Sequence, residues 1–178
     1  MRFSSLPVLF LAVVLLDHHQ LLFVGASDVE DVCRAAASSS PNINFDFCVT
    51  SLQADPGSGS ADKKGLAVIA AELASKNATS TKSRVQELLN KAVESKLKNS
   101  LGTCLDLYSD MIPNLSDSIS AIRTGRYSDA KTYLSSAFDA PGDCENAFSE
   151  EGIQSPITKE NSDSQQLSVI ALAITNTL

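Results

Sequence analysis

The amino-acid sequence predicts an all-α protein: an antiparallel, up-down-up-down four-helix bundle that follows an N-terminal helical hairpin and is held by two disulfides. Three observations predict this fold. Four long segments carry apolar residues at helical spacing, and only a few residues separate one segment from the next. No segment alternates strictly between apolar and polar residues, as a half-buried strand would. The 178 residues include only 8 glycines and 6 prolines, and these are concentrated in the short joints, which leaves the intervening segments free to be helical.

The first 26 residues have the pattern of a secretion signal. Arg2 gives a positive start, residues 6–16 form an apolar run, and the small residues Val24-Gly25-Ala26 are typical of a cleavage site. The apolar run is too short to cross a bilayer. The sequence therefore predicts a signal peptide over residues 1–26 and one folded domain over residues 27–178, with no membrane partner after cleavage.

The first part of the domain, residues 27–53, is predicted to be a hairpin of two short helices. These helices flank a turn-rich stretch at residues 38–44. The joint at residues 54–60, with the sequence ADPGSGS, separates the hairpin from the bundle.

All four cysteines lie in the predicted exported domain, where oxidising conditions favour disulfides. Four cysteines allow three pairings. Cys33 and Cys48 are 15 residues apart across the turn of the hairpin, and a local bridge there is the low-entropy choice. That bridge leaves Cys104 to pair with Cys144, and no free thiol then remains for catalysis.

The four-helix bundle is predicted over residues 61–178. Its helical segments, in chain order, span residues 62–97, 101–124, 127–148 and 155–178. Pro113 lies inside the second segment and is expected to kink that helix without ending it, because the apolar stripe keeps its phase on both sides. Pro141-Gly142 is a candidate break in the third helix. Ser155-Pro156 is expected to begin the fourth, as an N-cap followed by proline. The predicted joints are Lys98-Asn99-Ser100, Gly125-Arg126 and Glu151-Gly152-Ile153.

The only histidines, His18 and His19, belong to the predicted leader. A domain without imidazole cannot build a Ser-His-Asp or Cys-His nucleophile, nor a His-ligated zinc or copper site. Carboxylate chemistry remains as an enzyme hypothesis, with Asp106 and Asp110 as the candidate pair, but surface helices carry such i, i+4 acids routinely. We therefore expect no enzymatic activity, no metal and no cofactor.

The charge of the chain is unevenly distributed. Beyond the leader it carries 20 acidic and 13 basic residues. Residues 27–100 hold nine of each sign, whereas residues 101–178 hold eleven acids against four bases. Nucleic acids and anionic membranes need a basic footprint, so neither is an expected partner.

Two short stretches and the order of the parts carry a resemblance to a known family. Residues 40–49 (SPNINFDFCV) and 155–161 (SPITKEN), together with the leader, the two-cysteine hairpin and the four helices, resemble the plant invertase and pectin methylesterase inhibitor family. Within that family they look most like the plane-tree pollen allergen branch. The resemblance implies the same two disulfides and a secreted, non-catalytic protein of the cell wall or, alternatively, the vacuole.

The resemblance also implies a target-binding site at Gly125-Arg126-Tyr127. In invertase inhibitors of this family, a Pro-Lys-Phe motif between the second and third bundle helices enters the sucrose pocket. This chain keeps the cation and the aromatic residue but not the proline. A cation suits a pocket lined by catalytic carboxylates. The alternative is that Arg126 is a solvated turn residue and that Tyr127 anchors the start of a helix.

The partner implied by the resemblance is an acid invertase. Two alternatives stay open: inhibition of a pectin methylesterase through exposed polar faces of the bundle, and a pollen-type allergen without inhibitory activity. A small-ligand carrier is disfavoured, because such a protein needs more cysteines and a hollow core.

Two N-glycosylation sequons are present, Asn77-Ala78-Thr79 and Asn114-Leu115-Ser116. At 100° per residue, Asn77 falls about 20° from Leu66 and therefore on the core stripe of its helix. Asn114 falls about 220° from Leu101 and faces solvent. Asn114 is the expected glycan carrier, and Asn77 is expected to go mostly unused.

Overall fold

The computed structural model describes residues 28–178. In chain order its helices are α1 (Val29–Ser39), α2 (Phe45–Gln53), α3 (Lys63–Lys91), α4 (Ser95–Arg123), α5 (Tyr127–Glu150) and α6 (Thr158–Thr175), and a 3-10 turn, Ser58–Ser60, precedes α3. No strand occurs between residues 28 and 178, which confirms the predicted all-α class. Over the same range, no helix combines the length and apolar character needed to cross a membrane. The signal peptide predicted over residues 1–26 lies outside the described residues and stays a prediction.

Polar side chains mark where three of the helices begin. Asp28, Asn44 and Asp62 are the N-caps of α1, α2 and α3, and each side-chain oxygen accepts a backbone N–H of the first turn at 2.7 to 2.9 Å. These bonds satisfy donors that a helix start leaves without a partner. Pro113 lies inside α4, and the helix continues across it as predicted.

Helices α3 to α6 form the predicted antiparallel bundle. Each packs against two of the others, so the four close into a ring in the order α3, α4, α5, α6. Because successive helices reverse direction, the α4/α5 joint lies at the end of the bundle where α3 starts. The other two joints lie at the opposite end, where Lys96 Nζ donates to Glu151 O at 2.6 Å. The largest fully buried side chains include Tyr108, Phe148, Leu101, Met111, Leu134 and Ile170.

The hairpin of α1 and α2 packs against α6 and α3. Gln166 of α6 holds the turn of the hairpin, because its Nε2 donates to Asn42 O and its Oε1 accepts from Asn44 N–H at 2.9 Å. Residues 167–171 are buried in succession, which is possible only when a helix is covered on several sides. The hairpin therefore covers the face of α6 that the bundle leaves open.

Both predicted disulfides are present. Cys33 and Cys48 join α1 to α2, with their Cα atoms 5.8 Å apart. Cys104 and Cys144 join α4 to α5, with their Cα atoms 4.8 Å apart. The pairing proposed from sequence spacing is confirmed.

A buried polar network joins all four bundle helices. The Tyr108 hydroxyl of α4 donates to Asn161 Oδ1 of α6 at 2.7 Å and lies 3.1 Å from Ser164 Oγ. Ser164 Oγ donates to Asn77 Oδ1 of α3, and Asn161 Nδ2 donates to Glu145 Oε1 of α5. Burial raises the pKa of Tyr108 to about 12. Because a buried polar group is costly unless it is bonded, this network favours one alignment of the helices over others.

The structure corrects the joint predicted between the first two bundle helices. The chain turns at residues 92–94 and not at Lys98-Asn99-Ser100. Residues 92–94 contain neither glycine nor proline, and Val93 is 90% exposed. The signal that sequence reasoning missed is helical phase, since Leu97 lies one turn before Leu101 and packs against the core with it.

One candidate break is absent, and one predicted helix start is wrong. Pro141-Gly142 does not break α5, because Pro141 is buried in the bundle and the disulfide at Cys144 fixes the next turn. Helix α6 begins at Thr158 and not at Ser155-Pro156. Ser155 Oγ instead accepts from Ile157 N–H at 3.2 Å in the turn that precedes the helix.

Candidate functional site

The joint between α4 and α5, residues 124–126, is an ordered turn. Gly125 has a φ of +75°, in the left-handed region that favours glycine. Its N–H donates to Ile122 O at 3.1 Å, and Arg126 N–H donates to Ala121 O at 2.8 Å. These two bonds are the Schellman motif that closes many helices. The motif fixes the direction in which the chain leaves α4, so the turn is ordered without a proline.

Arg126 is exposed at the tip of this joint. Its Nη1 contacts Asp129 Oδ2 at 2.7 Å, and its Nε donates to Thr124 Oγ1 at 3.3 Å. The side chains of Arg126 and Asp129 are 53% and 51% exposed, so water screens this ion pair. The guanidinium therefore rests along the first turn of α5 and can leave Asp129 at small cost.

Tyr127 is the first residue of α5 and is half-buried. Its side chain packs against the core at the same end of the bundle. The structure thus places Gly125, Arg126 and Tyr127 together, with the cation outward and the aromatic residue partly inward. A second arginine, Arg123, lies at the same end and pairs with Glu72 of α3.

Asp106 and Asp110 lie on consecutive turns of α4 and are both exposed. Exposed carboxylates of this kind are typical of a solvated helix face. An acid and a base that act at a glycosidic bond need an enclosed site, and Asp106 and Asp110 have none. Between residues 28 and 178, no cluster of three or more histidines, cysteines or acids is arranged to hold a metal ion.

The two sequons lie in different surroundings. Asn77 Oδ1 accepts from Ser164 Oγ, and Ser164 is fully buried. Asn114 is half-exposed on α4, and its Nδ2 donates to the exposed Ser136 Oγ of α5 at 3.3 Å.

Sequence reasoning missed two groups that shape these sites. Asp129 lies three residues after Arg126, a spacing that predicts an ion pair on a helix, and could have been found from that spacing. The partners of Tyr108 in the polar network, Asn161 and Ser164, gave no local signal, because they lie more than 50 positions away in sequence.

This geometry defines a class of protein: a small, disulfide-bonded helical bundle that offers partners an ordered surface. The family model described as plant invertase/pectin methylesterase inhibitor matches residues 27–174, and the chain belongs to that family. Members of this family are inhibitor proteins and not catalysts, and a non-enzymatic role for this chain is consistent with that membership.

Some relatives are named as invertase inhibitors and others as pectinesterase inhibitors. A protein of Platanus orientalis named "Putative invertase inhibitor" is 41% identical over 156 residues, covering 87% of this chain and 92% of the relative. A protein of Actinidia deliciosa named "Pectinesterase inhibitor" is 35% identical over 105 residues, covering 59% of this chain and 57% of the relative. A solved structure of a mutant pectin methylesterase inhibitor from Arabidopsis has a TM-score of 0.69 at 23% identity, covering 80% of this chain and 97% of that one, and so has the same fold.

Proposed function

We propose that the protein inhibits an acid invertase by inserting the α4/α5 joint into the sucrose pocket of the enzyme. The observation that carries the proposal is the exposed Arg126 on a joint ordered by a Schellman motif, with Tyr127 packed beside it. The name of the Platanus orientalis relative supports the same target. The predicted leader supports export, to the cell wall or to the vacuole.

The chemistry of the joint suits a pocket that contains carboxylates. Arg126 would exchange the exposed Asp129 for carboxylates in a water-poor pocket, where a charge-assisted hydrogen bond is stronger. Tyr127 would provide an apolar wall beside it. Truncating one partner of such a desolvated pair costs roughly 2 to 5 kcal/mol.

The test compares Arg126→Ala with the parent protein in an acid invertase assay. Inhibition should weaken by more than about tenfold, which corresponds to 1.4 kcal/mol or more. Arg84→Ala is the matched control, because Arg84 also forms an exposed i, i+3 pair, with Glu87 at 3.2 Å, but on α3. The control should inhibit as the parent does, and circular dichroism should show both variants folded. Undiminished inhibition by Arg126→Ala would show that the joint does not enter the pocket.

Inhibition of a pectin methylesterase is the second candidate function. The exposed polar faces of the bundle favour it, as does the name of the Actinidia deliciosa relative. The same proteins should be assayed against a pectin methylesterase. If neither form inhibits invertase and both bind the esterase, the second function replaces the first.

A further inference from the structure

The Asn114 sequon lies at the centre of one broad exposed surface. We define the α4/α5 face as the residues around it that are exposed on the two helices: Asp110, Pro113, Asp117, Thr132, Ser136 and Asp139. Asn114 Nδ2 reaches across the groove between the helices to Ser136 Oγ. Leu115, the next residue, is fully buried and anchors this part of α4 in the core.

Asn114, the residue that reacts, is half-exposed on α4, and the hydroxyl of Ser116 completes the recognised sequon. Ser116 is exposed, and its hydroxyl makes no hydrogen bond within residues 28–178. N-glycosylation would join Asn114 Nδ2 to the anomeric carbon of N-acetylglucosamine, supplied by a lipid-linked oligosaccharide. The bond from that carbon to the lipid diphosphate breaks, the diphosphate leaves with the electron pair, and the proton that the amide loses passes to a base of the glycosylating enzyme. One amide hydrogen remains on Nδ2 after the reaction.

The Asn77 sequon differs in the direction of its amide. Its Oδ1 points to Ser164, inside the network that joins the four bundle helices. Any reorientation of the Asn77 amide to accommodate a sugar would therefore disturb buried hydrogen bonds, whereas Asn114 has only an exposed partner.

We propose that Asn114 carries an N-linked glycan in the secreted protein and that this glycan covers the α4/α5 face. Asp110 and Asp117 lie one helical turn before and after Asn114, and Asp139 lies one turn after Ser136 across the groove. A branched sugar attached between these acids excludes a protein partner from them. Partners are then confined to the other surfaces, including the end of the bundle that carries Arg126.

The test uses protein secreted from plant cells, as the parent chain and as two variants that each lose one sequon. Ser116→Ala removes the Asn114 sequon but keeps the asparagine and its contact with Ser136. Thr79→Ala removes the Asn77 sequon and is the matched control. Mass spectrometry of the intact proteins and their glycopeptides gives the occupied positions. Carbodiimide labelling of carboxyl groups, mapped by peptide, gives the accessibility of each acid.

The parent and Thr79→Ala should both carry a glycan on Asn114, and Ser116→Ala should carry none. Labelling of Asp110, Asp117 and Asp139 should be several-fold lower in the parent than in Ser116→Ala. Labelling of Glu30 and Asp46, which are exposed on the hairpin, should be equal in the two proteins. A parent protein without sugar on Asn114, or equal labelling of the three α4/α5 acids in both proteins, would overturn the proposal. Both readouts are independent of which enzyme the protein inhibits.

Discussion

Arg126 is held by Asp129 in the free protein, and this ion pair competes with any carboxylate that a target offers. Exposed pairs of this kind contribute about 0.2 to 1 kcal/mol. Asp129→Asn should therefore strengthen invertase inhibition, by up to about fivefold, because Arg126 no longer has to leave a carboxylate. Inhibition assays at low salt measure the change. Asp139→Asn removes an exposed acid two turns or more away on α5 and should leave inhibition unaltered. Weaker inhibition by Asp129→Asn would mean that the pair instead holds Arg126 in its binding position.

Removal of the Tyr108 hydroxyl oxygen should lower the stability of the protein more than removal of any other single side-chain atom. Tyr108→Phe leaves Asn161 Oδ1 buried without its donor, which should lower the free energy of unfolding by about 1 to 3 kcal/mol. Tyr133→Phe is the control, because Tyr133 is half-exposed on α5 and lies outside the network, and it should change stability by less than about 0.5 kcal/mol. Urea unfolding measures both. Equal midpoints for the two variants would show that the network adds no stability.

The same tyrosine makes stability fall at alkaline pH. Burial raises the pKa of Tyr108 to about 12 in the folded protein, whereas an unfolded tyrosine titrates near 10. The folded state therefore binds more protons between these values, and the stability that Tyr108 contributes is complete below about pH 10 and is lost as pH rises towards 12. The loss is on the order of 2 to 3 kcal/mol. Between about pH 10 and 12, the free energy of unfolding should fall less steeply with pH in Tyr108→Phe than in the parent. Equal slopes in the two proteins would exclude Tyr108 as the cause.

Replacement of two glycines by alanine should change the stability of the protein in opposite directions. Gly125 follows the end of α4, and Gly102 lies inside it. Gly125 has a φ of +75° and an added Cβ would meet nothing within 4 Å, so Gly125→Ala costs only backbone strain, about 1 to 2 kcal/mol. Gly102 lies within α4 and also has open space around it, so Gly102→Ala should stabilise the protein by about 0.4 to 1 kcal/mol. Urea unfolding midpoints, compared at an unchanged m-value, show whether each variant is more or less stable than the parent. Destabilisation of similar size in both variants would contradict this account of the joint.

Helical phase made the existence of each element predictable, but several boundaries depended on tertiary contacts. Leu101, Leu105 and Tyr108 recur at helical spacing, so α4 could be assigned from the sequence. The turn at residues 92–94 carries no glycine or proline, and its only local signal is that Leu97 is in helical phase with Leu101. At Pro141 the local signal pointed to a break, and burial against the other helices outweighed it.

At the scale of the whole molecule, the hairpin completes a core that the four-helix ring leaves open at α6. The cysteine spacing predicted the hairpin, because only a short loop separates Cys33 from Cys48. Its packing on α6 could not be predicted, since Gln166 contacts Asn42 and Asn44 across more than 120 positions of sequence. The joint between α4 and α5 could also be located from the sequence, whereas the exposure and the partners of Arg126 depend on the fold.

The two disulfides should therefore contribute to stability in different ways. In the chain-entropy account, a bridge that closes 15 residues contributes about 3 kcal/mol and one that closes 40 residues about 4 kcal/mol. The Cys33–Cys48 bridge joins only the helices of the hairpin. The Cys104–Cys144 bridge joins two helices of the ring, and Asn161 Nδ2 donates to Cys144 Sγ at 3.2 Å.

Replacing Cys33 and Cys48 together by alanine should loosen the hairpin and leave the ring of α3 to α6 folded. Hydrogen exchange should accelerate over residues 29–53 and on the outer side of α6, with little change in α4 and α5, because the polar network and the second bridge remain. The double replacement of Cys104 and Cys144 should instead accelerate exchange in all four bundle helices and lower the urea midpoint further. Exchange that accelerates uniformly through the chain in the first variant would show that the hairpin and the ring unfold as one unit.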